Sequence, residues 1–288
     1  MAEPARGKPG RGKPGRKKER LQPPDYRIID LPERHEATYF SCLEDWSEEM
    51  LEAGDHKQRW YERWRDEGLR VKLAVTDDDQ AIGMIQYVPI EQSPAVGVGL
   101  YMVLCIWVHG HKEGVGKQQG HGAGTALIEA AEADAKALGA TGLAAWGLRL
   151  PVWMKASWFK KHGYRRCDSH QARDLLWKPF VDDAEPPAWP EQGPIPVIDT
   201  DRVDIVAFKS GWCPASNLVY ERARRAADTF GDAVSFTTID INERPVFLEC
   251  GRADQVLVDG KPLQRGAPPS AATIERKIGK RVDKHQKK

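Results

Sequence analysis

Hydrophobic positions along the chain change their period several times, and each change marks an element. From Tyr26, YRIIDLP alternates like a half-buried strand and stops at a proline. Residues 33–67 carry Tyr39, Leu43, Trp46, Met50, Trp60, Tyr61 and Trp64, which predicts a long helical region broken at Ala53, Gly54 and Asp55. VKLAVT, the acidic turn DDDQ and AIGMIQYVPI then read as a hairpin. LYMVLCIWV is apolar almost throughout, as a strand covered on both faces must be. The helix TALIEAAEADAKALG has one apolar face and stops at Gly139, and GLAAWGL reads as another strand. A short helix, VWMKASWFKKHG, ends at Gly163, and YRRCDS and LLWKPF predict a last pair of strands.

The pattern then lapses. Residues 181–199 are dense in proline and acid with little periodicity, which predicts a Pro-rich linker. Beyond it, VDIVAFKS, a helix near 215–230, VSFTTIDIN, QVLVDGKPL and the helix ATIERKI predict a second, compact α/β unit. The expected division is a basic tail over 1–24, a first domain over 25–180, the linker, a second domain over 200–278 and a basic tail over 279–288.

Composition narrows the function classes. No apolar run in the 288 residues approaches the ~20 needed to span a bilayer, and the first residues lack the apolar centre of a secretory signal, so a cytoplasmic protein with no membrane partner is expected. Five scattered cysteines show neither disulfide nor zinc spacing, so reduced thiols are expected. The net charge of +1 conceals basic ends, but GKPGRGKPGR is rich in helix breakers and carries no aromatic on which a base stacks. Those ends read as disordered, solubilising tails rather than a nucleic-acid contact. The oligomeric state is not legible.

The chemistry centres on Gln119, Gly120, His121, Gly122, Ala123 and Gly124, lying between a buried strand and a helix. Glycines let the backbone approach a bulky anion, and the free amides and dipole at a helix N-terminus attract it, so a diphosphate fits there. A structural turn is the alternative reading of the same residues. The spacing is not GxGxxG, the next strand lacks a terminal acid, and no P-loop lysine is present, which argues against Rossmann and P-loop nucleotide sites.

The order of elements, the run QGHGAGTALIEAAEADAKALGATGLAAWG and the later WFKKHGY together resemble the GNAT acetyltransferase family over the whole first domain. HKEG, AAWG and PVWMKASWFKKHGY resemble more narrowly its YoaP-type subgroup, in which a small thioredoxin-like domain follows. The resemblance implies an α/β (α+β) fold with a mixed sheet. It also implies acetyl-CoA as co-substrate and a small-molecule or peptide amine as acceptor. Pantetheine would lie along Cys105, Ile106, Trp107 and Val108, and the diphosphate on Gln119 to Gly124 and Thr125. The tyrosine that commonly protonates the departing thiolate falls at Phe159, which has no proton to give. The catalytic candidates are therefore His111, Glu113, Ser157 and Tyr164, with His162 or an ordered water behind them. Cys105, His109 and His111 have metal-ligand chemistry, but three ligands in one short segment seldom converge, and no metal is expected. Trp60, Trp64, Trp107, Trp146, Trp153 and Trp158 predict packing first and an indole-walled acceptor cavity second.

In the second domain, Gly211, Trp212, Cys213, Pro214, Ala215 and Ser216 resemble the active turn of thioredoxins, with Ser216 where the resolving cysteine would be. Asp254 takes the place of the usual cis-proline and puts a carboxylate beside the Cys213 thiol, disfavouring its thiolate. A docking or substrate-shaping module is expected from this. Two other readings stay open: an acetyl-CoA-binding regulator without turnover, and a monothiol redox function through Cys213.

Overall fold

The computed structural model describes residues 25–150, 153–196 and 201–287. The elements of the first unit are β1 (Tyr26–Asp30), α1 (Glu36–Phe40), α2 (Glu48–Leu51), α3 (His56–Trp64), β2 (Arg70–Thr76), β3 (Ala81–Pro89), β4 (Leu100–Val108), α4 (Ala123–Ala137), β5 (Gly142–Leu148), α5 (Ala156–Lys161), β6 (Arg165–His170) and β7 (Arg173–Pro179). Their strands form one mixed sheet in the order β1-β2-β3-β4-β5-β7-β6. Only β4 and β5 run parallel, because α4 is the one crossover between neighbouring strands; the remaining pairs are antiparallel.

One irregularity in this sheet matters for the site. Gln86 pairs with Cys105 and Tyr87 with Val103, so Leu104 is an extra residue on β4 without a partner on β3. Such a bulge bends and twists its strand. The parallel pairing of β4 with β5 stops at Val103 and Ala145, leaving the second half of β4 open on that side.

Each sheet face has its own core. α4 buries Leu127, Ile128, Ala131 and Ala135 against Ile85, Tyr87, Met102 and Ala144, each large apolar side chain contributing about 1.5–3 kcal/mol. The opposite face buries Tyr39, Trp60, Leu73, Met84, Leu104 and Cys105 under α1 and α3. The predicted long helix is three short ones: Cys42 and Leu43 adopt left-handed backbone angles, and a second break falls around Gly54, where the sequence places it.

The second unit comprises β8 (Val203–Lys209), α6 (Pro214–Phe230), β9 (Val234–Asp240), α7 (Arg244–Cys250), β10 (Gln255–Val258), β11 (Lys261–Pro262) and α8 (Ala271–His285), with strand order β11-β10-β8-β9. α6 and α8 bury Val219, Ala223, Ile274, Ile278 and Val282 on one face, and α7 buries Phe247 on the other. The expected end of this unit at 278 falls short, because Val282 joins the core and α8 runs to His285; most of the supposed basic tail is helix. The supposed tail over 1–24 lies outside the described residues, as do 151–152 and 197–200.

The linker is a docked strap rather than a free tether. Val96 and Ala188 exchange two backbone hydrogen bonds of 2.9 Å, the Trp189 amide donates to Asp168, and the Gly193 amide donates to the Cys250 carbonyl. The units also meet directly. Buried Arg222 donates to Glu49 and Glu52, Arg244 donates to the carbonyls of Ser93 and Ala95, and Arg63 pairs with Glu243. Among the described residues no helix is long and apolar enough to cross a membrane.

Candidate functional site

The loop after β4 is shaped by a histidine. Buried His109 receives a hydrogen bond at Nε2 from the Trp46 indole (3.2 Å), which can only donate, so its proton sits on Nδ1 and is donated to the Gly116 carbonyl (2.7 Å). The neutral ring thus clamps the loop from inside, and neither nitrogen is left for a metal. Gly114 lies so close to Trp46 that a Cβ there would stand 2.5 Å from the indole. Among the described residues, no group of His, Cys, Asp and Glu is arranged to hold a metal ion.

From that clamp the chain turns into α4 through left-handed backbone at Gly116, Gly120 and Gly122 (φ 72°, 91° and 89°), a conformation glycine adopts at little cost. Gly122 caps α4, and space is open where a side chain at Gly120 would be. Among the described residues, none of the hydrogen bonds is donated by the amides of Gly120 to Thr125. These donors stand at the positive end of a 15-residue helix dipole. The Gln119 side chain instead turns back and donates to the Val108 carbonyl at 3.1 Å.

Beside the loop, Trp158 lies against Gly124 and stacks on His162 at 4.0 Å between ring centres. The His162 Nδ1–H donates to the Trp158 carbonyl, so its Nε2 accepts from the Thr125 hydroxyl at 3.1 Å. Along the open half of β4, the buried Trp107 indole N–H has no partner. An orphaned donor there and free amides around an unfilled turn are features that a ligand running from β4 to α4 would satisfy. A cleft of about 840 Å³ lies elsewhere, between the β2–β3 turn and residues 114–118, lined by Asp77, Asp78 and Asp79 and so ill-suited to a diphosphate.

The four catalytic candidates separate. His111 stands over Trp107, 6.0 Å between ring centres, with Nε2 3.2 Å from the Glu44 carboxylate. Glu113 is exposed on the loop, Ser157 is exposed on α5, and neither side chain makes a hydrogen bond to a described residue. Tyr164 is buried in the α4-side core against Phe159, its hydroxyl enclosed, and burial pushes its pKa up further, so it is a core residue. Phe159 is likewise fully buried. Of the six tryptophans singled out in the sequence, Trp60 packs in the core as expected. Trp146 and Trp153 meet edge to face at 5.2 Å beside the strand separation.

The thiol positions are brought together. Cys213 caps α6 and is buried, one turn from Ser216. Burial, with the neighbouring Cys42 and Asp254, pushes its pKa to about 11, so the helix dipole does not yield a thiolate. Burial likewise raises the Cys105 thiol. Asp254 accepts from the Ser210 amide (2.8 Å) and hydroxyl (2.6 Å), and burial raises its pKa. The sequence missed the Trp46–His109 clamp, the His162–Thr125 contact and the bulge at Leu104; each depends on partners distant in the chain.

Residues 31–164 match the family model described as acetyltransferase (GNAT) family. Solved structures similar to the chain include the GNAT family N-acetyltransferase YhbS from Escherichia coli in complex with CoA (13% identity, 56% of this chain and 84% of that one, TM-score 0.41). Others are a GNAT family acetyltransferase from Brucella melitensis in complex with acetyl-CoA (17%, 56% and 92%, 0.39) and the PaiA N-acetyltransferase from Thermoplasma acidophilum in complex with coenzyme A (16%, 54% and 99%, 0.40). No curated protein matches the chain.

Proposed function

We propose that the chain, whose residues 31–164 match the model of the GNAT acetyltransferase family, transfers an acetyl group from acetyl-CoA to a primary amine. The observation that carries this reading is the unfilled turn of donor amides from Gly120 to Thr125 beside a β4 whose edge is open beyond Leu104. The turn binds the diphosphate, with Thr125 and His162 at its margin. The exposed edge of Cys105, Ile106, Trp107 and Val108 binds pantetheine as an extra strand would. Bound there, acetyl-CoA supplies an activated acetyl group on sulfur.

The chain's own residues do the rest. His111, oriented by Glu44 and next to Trp107, takes the proton from the acceptor ammonium, directly or through water. Free amides of the open β4 edge steady developing negative charge on oxygen. No acid is required of Phe159, since a thiolate whose conjugate acid has a pKa of about 8.5 departs with little protonation.

The strand order β11-β10-β8-β9, with β8 and β9 parallel, supports reading residues 200–285 as a thioredoxin-like, YoaP-type module. Its thiol, protonated and lacking a resolving partner at Ser216, favours docking or substrate shaping over dithiol exchange. A cytoplasmic setting fits the free cysteines. The test is thiol release from acetyl-CoA with a panel of amines, polyamines, aminoglycosides and peptides. Amine-dependent release supports transfer; tight CoA binding without release under any amine favours a regulator.

A further inference from the structure

The clearest unassigned feature is Arg173, at the start of β7. Its side chain makes no hydrogen bond or ion pair with any described residue. Its guanidinium lies 5.7 Å from the centre of the Trp146 ring, and Trp146 is the residue that bridges the strand separation by donating to the Leu104 carbonyl. Arg173 remains exposed to solvent, yet enough protein surrounds it that burial lowers its pKa, and the negative charge of the second unit that acts on it is that of Asp254. Leu104 of the bulge and Trp212 and Asp254 of the second unit line one small cavity. The second unit therefore sits on the sheet face where β4 and β5 part, opposite α4.

A solvent-reachable guanidinium with no acid or carbonyl to satisfy it is an unused bidentate donor for a carboxylate. Nearby Asp254 supplies the opposite charge, and Trp146 and Trp153 supply a wall. A molecule carrying both an ammonium and a carboxylate matches this pair of charges; a simple amine matches only one of them.

We infer that the acceptor site is built jointly by the two units, and that Arg173 selects an acceptor bearing a carboxylate next to its amine, an amino acid. The inference rests on the proposed acetyl transfer for its location. Arg173 is a binding residue.

The test is binding of phenylalanine and methionine, each beside its decarboxylated amine, to the full chain with and without CoA, followed by calorimetry and tryptophan fluorescence. The expected result is that each acid binds about tenfold or more tighter than its amine. Arg173→Gln should remove that difference, Arg173→Lys should restore part of it, and CoA affinity should stay unchanged in both. Equal affinity of acid and amine, no binding of either acid, or an Arg173→Gln protein with undiminished preference overturns the inference. Acids that bind in an Arg173-dependent way to a protein that does not take CoA support this site and overturn the acetyl-transfer reading; CoA binding without acid binding does the reverse.

Discussion

The Trp146 indole donates to the Leu104 carbonyl over 2.9 Å, just where β4 and β5 cease to pair. The carbonyl belongs to the bulge residue and has lost its strand partner, so the indole satisfies a buried acceptor and holds the gap at a fixed width. Trp146→Phe keeps an aromatic ring but leaves that acceptor unpaired. We expect a loss of about 1–3 kcal/mol in chemical denaturation, with acetyl-CoA affinity falling as the gap loses definition.

Gly122 and Gly124 respond differently to alanine. At Gly122 the backbone is left-handed and the Tyr26 hydroxyl would stand 3.2 Å from a Cβ, whereas Gly124 lies inside α4 with ordinary contacts to Trp158 and Val108. Gly122→Ala is expected to cost about 1–2 kcal/mol in stability. Gly124→Ala should be neutral or slightly stabilising. Thermal unfolding of the two proteins checks this, and identifies position 124 as the cleaner place to probe ligand binding.

Cys213 should react slowly. With a pKa near 11, only about one thiol in a thousand is ionised at pH 8. Iodoacetamide labelling at this residue, followed by mass spectrometry on the folded protein, should keep rising above pH 9 rather than levelling off near the usual 8.5. Cys213→Ser should retain acetyl transfer, as a docking role requires.

The contact between the units should weaken on mild acidification. His56 accepts from Lys209 at Nδ1 and donates to Glu221 from Nε2, both at 2.7 Å, so the ring is held neutral. Burial first, then the Lys209 and Arg59 charges, lower its pKa, while Glu221 opposes them. The unfolded chain therefore binds the proton more readily. Stability from this group is complete above about pH 6.5 and is lost as pH falls through the lowered folded value. The unfolding midpoint should drop between pH 7.5 and 5.5, and His56→Gln, which can accept from Lys209 and donate to Glu221, should flatten that slope.

Much of the first unit was legible because its strands and α4 have strong, unmixed periods: LYMVLCIWV is the strand Leu100–Val108 and GLAAWGL is Gly142–Leu148. The glycine turn was legible because glycine adopts the left-handed backbone found at 120 and 122 at little cost. The helical region after β1 misled, since no proline or glycine marks the break at Cys42 and Leu43, whose left-handed angles are set by packing. The strap at 181–196 lacked period because its partners, Val96, Asp168 and Cys250, lie far along the chain. The same reason hid Arg173: an arginine opening a strand gives no sign that every acid in reach already has other partners or stands across a domain boundary.

The central claim is that the amides at the start of α4 hold the diphosphate of acetyl-CoA, and calorimetric titration of CoA into wild type and Gly124→Asp tests it most directly. The account predicts saturable binding to wild type. It also predicts at least about a hundredfold weaker binding to the variant, at unchanged far-ultraviolet circular dichroism, because a carboxylate would face the phosphates. Equal affinity in the two folded proteins, or no binding to either, would contradict it.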